Sequence, residues 1–138
     1  MRELIAGIWA DDWERPTALD GFAVSDLVEH VCSGVHQFSQ LAAGHDFDLE
    51  AKVRVTVTDV AVRFDEIIAE SLTAWGQPAA LTDSYGMPWG QEVGERLVAY
   101  LIVETAGHGW DLGGALGHDI PMSDALAHAA LEVARSFS

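Results

Sequence analysis

Between Val24 and Ala43 the apolar residues Val24, Leu27, Val28, Val31, Val35, Phe38 and Ala42 recur at steps of three and four, and Gly44 ends the run. That spacing lines one side of an α-helix and does not fit the two-residue period of a strand. The same rhythm returns over about 53–75 on Val53, Val57, Val60, Phe64, Ile67, Ile68, Ser71 and Trp75. It returns again over about 91–116 on Val93, Leu97, Leu101, Thr105, Leu112 and Leu116. A last helix is predicted after Pro121, with Ser123 as N-cap and Leu126, Ala130, Val133 and Phe137 as its stripe. A short helix over 3–13 would carry Leu4, Ile5, Ile8 and Trp9. The opening of the second run, VRVTVT, alternates like a strand, but the longer helical period outvotes it.

Between these runs, residues 15–21 read as a loop broken by Pro16 and closed by Asp20-Gly21. Gly76 to Gly90 holds two prolines and three glycines, so it reads as a loop, with a tight turn at Tyr85-Gly86. No strand is expected. The fold predicted is therefore all-α: one domain over 1–138, a four-helix bundle with a short extra N-terminal helix.

Charge narrows the partners. The chain carries 22 acidic against 7 basic residues, a formal net charge of −15 over 138 residues. Such a surface repels phosphate backbones and anionic headgroups, so nucleic acid and membranes are excluded as partners. The longest apolar run, Leu97 to Val103, falls far short of the roughly 20 residues that span a bilayer. The N-terminus lacks the apolar stretch of a signal peptide. Cys32, the sole cysteine, has no internal disulfide partner and fits a reducing compartment. A soluble cytoplasmic protein is expected. Because small bundles bury a limited share of their surface, a homodimer is expected as well.

One stretch breaks the apolar pattern with chemistry: VETAGHGWDL, residues 103–112. At about 100° per residue, Glu104 and His108 fall inside the leucine stripe of their helix. A buried, unpaired carboxylate would cost several kcal/mol or give up its charge, so something must compensate. The i,i+4 spacing aims both side chains to one side, the way a helix offers two ligands to one metal ion. The alternative is a hydrogen-bonded Glu–His pair without metal. His30 borders the apolar stripe of its own helix and is a candidate third ligand. Alone it reads more readily as a half-exposed histidine than as a ligand. His36, His45, His118 and His128 are read as solvated, and Cys32 as a small core residue.

WERPTALDGFAVSDLVEHV (13–31) and ETAGHGWDLGGALG (104–117) resemble the two signature blocks of the DinB-like metal-binding proteins related to the mycothiol-dependent maleylpyruvate isomerase N-terminal domain. The resemblance covers most of 4–137. It implies a four-helix bundle whose metal, usually zinc, is held by His30, Glu104 and His108. It also assigns Trp110 and Asp111 to packing and local hydrogen bonding beside the site. Phe22 and Ala23 replace the family's Trp-Thr, which removes the expected N-cap of the helix from Val24. The maleylpyruvate isomerases carry a further C-terminal domain that contributes to the substrate site, so that isomerisation is not expected of residues 1–138.

The function these expectations imply is that of a metal-dependent thiol enzyme. Zinc, or another divalent ion such as nickel, would bind mycothiol or another low-molecular-weight thiol, for S-transfer to a small-molecule substrate or its isomerisation. The alternatives are a non-catalytic metal- or ligand-binding module, and a metal-free bundle with other small-molecule chemistry.

Overall fold

The computed structural model describes residues 1–119 and 122–137. Its helices are α1 (Arg2–Ala6), α2 (Val24–Ala42), α3 (Val60–Trp75), α4 (Gly94–Leu116) and α5 (Asp124–Ser136), with a 3-10 turn at Ala10–Asp12. A hairpin of β1 (Ser84–Met87) and β2 (Gly90–Val93) joins α3 to α4. The architecture is the expected one, four longer helices and a short N-terminal one. No helix among the described residues is long and apolar enough to cross a membrane.

The apolar stripe of α2 dictates its place. Val24, Leu27, Val28, Cys32, Phe38 and Leu41 are buried on it, and α2 packs against both α3 and α4. Its N-terminus has Ala23 where a polar cap would sit, as expected from the sequence, and no side chain caps it. Asp26 compensates by accepting the Ala23 N–H at 2.9 Å. α5, capped by Ser123 as predicted, lies along α4 with no fully buried residue. Pro121, expected to precede it, lies outside the described residues.

Three expectations need correction. The helix placed over 3–13 ends at Ala6, although Leu4, Ile5 and Ile8 reach the core. The helix placed over 53–75 begins only at Val60. Val53 and Val55 are buried while Arg54 and Thr56, which alternate with them, are exposed, so the alternation set aside in favour of the helical period describes this segment. The reason lies on α2, where Glu29, Ser33 and Gln37 stand one turn apart and claim the segment's backbone. Val55 N–H donates to Glu29 at 3.2 Å and Val53 N–H to Ser33 at 2.9 Å. The Gln37 amide donates to the carbonyls of Leu49 and Ala51, both at 3.2 Å. A helix there would need the same groups for itself.

The third correction is a hairpin over 84–93, which puts strands into the expected loop and into the start of the helix expected from about 91, so that α4 begins only at Gly94. Its register pairs Tyr85 with Glu92 and Met87 with Gly90, so the chain turns at Pro88-Trp89 rather than at Tyr85-Gly86. Gly94 makes the entry into α4 possible: a Cβ there would stand 1.9 Å from the Ala80 carbonyl oxygen.

The bundle is not closed all round. α2 bridges α3 and α4, but α3 and α4 barely meet each other. α1 touches both at one end of the gap, tied to α3 by a two-pronged Arg2–Asp65 pair at 2.9 and 3.0 Å.

Candidate metal centre

α2 and α4 bring His30, Glu104 and His108 together. One ligand atom from each lies within 4.8 Å of the others, and among the described residues this is the cluster of three with metal-ligand character. His108 Nε2 stands 3.2 Å from Glu104 Oε2, the geometry expected of an i,i+4 pair. The His30 ring meets the His108 ring edge to face at 4.9 Å between centroids, and Phe22 stands on its other side at 6.0 Å. Four-coordinate zinc with bonds of about 2.0–2.1 Å holds its ligand atoms roughly 3.4 Å apart. The trio is therefore slightly open. His30, exposed at the rim, is the member free to swing in.

The donor chemistry fits. Metal ligation needs neutral imidazole and ionised carboxylate. Burial of the His30 ring, reinforced by His108, lowers the His30 pKa below its usual value, which keeps it neutral at neutral pH. With a metal ion on Nε2 of His108, its Nδ1 would carry the proton. That atom is buried without a hydrogen-bond partner, and Asp111 Oδ2 stands nearest at 3.7 Å, one turn further along α4. A short inward movement of Asp111 would complete the carboxylate–histidine arrangement that orients metal-bound imidazoles.

The surroundings differ from the expected sealed stripe. Leu97 and Leu112 are buried on it, but the Glu104 side chain is 39% exposed and that of His108 17%. The stripe opens here onto a cleft of about 150 Å³ with Phe47, Leu49, Trp89 and Tyr100 on its walls. Gly34 of α2 contributes no side chain to that cleft and leaves room for it. His30, Gly34, Gln37 and Leu49 also border a second, more polar cleft of about 340 Å³, reached by Asp26, Glu29, Lys52 and Arg54. The strap over 49–55 that replaced helix is thus what builds the outer side of the site. Burial raises the Tyr100 pKa, and Glu104 adds to it, so its phenol stays protonated over the centre.

Among the remaining predicted positions, Trp110 points away and is 61% exposed. His45, His118 and His128 are exposed as expected. His36 is half-buried and faces Glu70 at 3.4 Å, a partner the sequence did not reveal. Cys32 is fully buried and its thiol is pushed up to about 11 by desolvation, which makes it a core residue and a poor nucleophile. Tyr100 was discoverable, since it precedes Glu104 by one turn on the same face. Trp89 was not, because it depends on the unread hairpin.

Two uncharacterized proteins of Mycobacterium tuberculosis, from strains CDC 1551 / Oshkosh and H37Rv, are each 26% identical to the chain over 133 residues. The match covers 96% of this chain and 70% of each relative. No solved structure matches it. The mycothiol maleylpyruvate isomerase N-terminal domain matches residues 1–113, a span that holds the three clustered side chains, all of α2 and α4 as far as Gly113. The chain therefore belongs to the mycothiol maleylpyruvate isomerase N-terminal domain family.

Proposed function

We propose that His30, Glu104 and His108 hold a zinc or similar divalent ion, and that the centre uses mycothiol or another low-molecular-weight thiol on a small electrophile, by S-transfer or isomerisation. The convergence of these three side chains from two helices carries the reading. A zinc ion with three protein ligands supplies an open position at which a thiol ionises near neutral pH. The protein's own groups would do the rest. Glu104 offsets part of the ion's charge, and the half-exposed wall of the cleft admits a ligand from solvent. The polar cleft beyond His30 fits the body of a thiol that carries many hydrogen-bonding groups, while Phe47, Trp89 and Tyr100 keep the inner side apolar. Cys32 does not compete as nucleophile, buried as it is.

Cobalt substitution tests this. Adding a small thiol to the cobalt protein should produce sulfur-to-metal charge transfer in the near-ultraviolet, with a proton released. A spectrum indifferent to every bacterial low-molecular-weight thiol would replace the enzyme reading with that of a metal-binding module. The homodimer is proposed through the outer side of α5, where Leu131 is 48% exposed. Light scattering from a monomer at tens of micromolar would remove it.

A further inference from the structure

We propose that the gap between α3 and α4 is a second binding site, separate from the metal centre. Its ligand would be a neutral, largely apolar small molecule that offers one hydrogen-bond acceptor to the indole N–H of Trp75.

The site follows from the packing. Because α3 and α4 barely meet, the space between them is a cavity of about 380 Å³, with Val35 of α2 on its lining and Met1 and Leu4 on it from the α1 end. Ligand pockets commonly run from about 300 to 1,000 Å³, so this one holds a compact molecule. Ile68, Leu72, Ile102 and Leu126 make its lining apolar, and among the described residues no charged side chain contributes to it. An ion would find no side-chain counter-charge there, and burying one unpaired costs several kcal/mol.

Trp75 supplies the specific signal. It lines the cavity, and its Nε1–H is buried without a hydrogen-bond partner among the described residues. A buried donor left unmade costs about 1–3 kcal/mol. The ring is not free to turn toward another partner at no cost. Tyr85 packs edge to face on it at 5.7 Å and is itself fixed by a 2.9 Å hydrogen bond from its hydroxyl to the Ala80 carbonyl. An ordered water on the indole, with the Ser71 and Thr105 hydroxyls in reach, would satisfy the donor but leave the apolar volume unfilled. A ligand that brings its own carbonyl or ether oxygen satisfies the indole and fills the apolar volume together. A helix from a second copy does less well. Its backbone carbonyls are already bonded within the helix, so it brings no free acceptor for the indole.

The test uses the full chain, ¹⁵N-labelled, with indole N–H resonances followed by NMR during titration with 2-heptanone and, separately, with heptanoate at pH 8. The ketone is expected to shift one indole resonance, the one missing from Trp75→Phe, while heptanoate leaves it in place. Trp75→Phe should bind the ketone about five- to tenfold more weakly, as the loss of one neutral hydrogen bond implies. If that variant fails to fold, Ala106→Phe carries the test: filling the cavity should abolish the ketone shift with the Trp75 resonance still present. The proposal is overturned if the ketone shifts no indole up to its solubility, or if heptanoate binds equally well. Unchanged ketone binding in Ala106→Phe would also overturn it, as would a protein-concentration dependence showing that a second copy covers the cavity.

Discussion

The two sides of α4 are built from one helix and do opposite things. Taking His108 as zero and about 100° per residue, Glu104 lies near −40° and Tyr100 near −80°. Val98, Gly109, Ile102 and Ala106 lie between about 80° and 160°, and Leu101 and Thr105 separate the two sets. The first side faces α2 and gathers charge: Glu104 against His108 at 3.2 Å, His30 across the cleft, Asp111 behind. The second faces a cavity with no charged lining. A metal site needs polar groups held by a second helix at close range, and α2 provides that. The side away from α2 has no such partner, so only apolar residues are tolerated there, and they border a void. The position of α2 decides which side of α4 becomes chemical.

If that division is right, the largest effect belongs to the metal side. His108→Ala should abolish stoichiometric metal, while His36→Ala, whose imidazole pairs with Glu70 outside the cluster, should retain it. Elemental analysis of protein purified without an affinity tag reads the difference, and equal metal in both variants would erase the distinction between the sides. Glu104→Gln should retain the fold and bind metal more weakly, because an amide oxygen is the poorer ligand. Stability comes next. Leu112→Ala empties a position that is 1% exposed and should cost about 2–5 kcal/mol in urea denaturation. Ile102→Ala on the cavity side, already 42% exposed, should cost less than about 1 kcal/mol. Equal costs would mean that the α3–α4 gap is closed in solution. Asp111→Asn should reduce metal affinity about 10- to 100-fold without changing the ligand set, as loss of an orienting carboxylate does.

The clustering of Glu104, His108 and His30 was largely legible in the sequence and the cavity was not. Glu104 and His108 share a helix, so their meeting follows from periodicity alone. His30 required a prediction of how α2 and α4 face each other, which only the resemblance supplied. What escaped was tertiary. The extended course of 53–56 depends on Glu29, Ser33 and Gln37 reaching out of α2, a competition for backbone groups that local pattern does not express. The hairpin at 84–93 was hidden by proline and glycine that serve a turn as well as a loop. The cavity arises from a contact that is missing between α3 and α4, and a missing contact leaves no periodicity to read.

The smallest effect sharpens the comparison from beneath. Cys32 sits on α2 in the core shared with Leu112 and Leu116, the metal side's own support. Desolvation there holds its thiol at about 11, against a reference value of 9.0. Between those values the unfolded chain gives up the proton and the native chain keeps it, so the native state binds more protons and stability falls as pH rises. The contribution is fully present below pH 9 and is lost progressively toward pH 11, up to about 2 kcal/mol. At neutral pH it adds no pH dependence. Urea midpoints taken from pH 8 to about 10.5 should therefore fall more steeply in the native sequence than in Cys32→Ala, whose other titrating groups are the same. An aromatic disulfide reagent should label Cys32 at pH 8 only as fast as the protein opens. Rapid labelling, with equal pH slopes in the two proteins, would show that the α2 core is open to solvent. The polar groups of α4 would then rest on no firmer ground than its apolar ones.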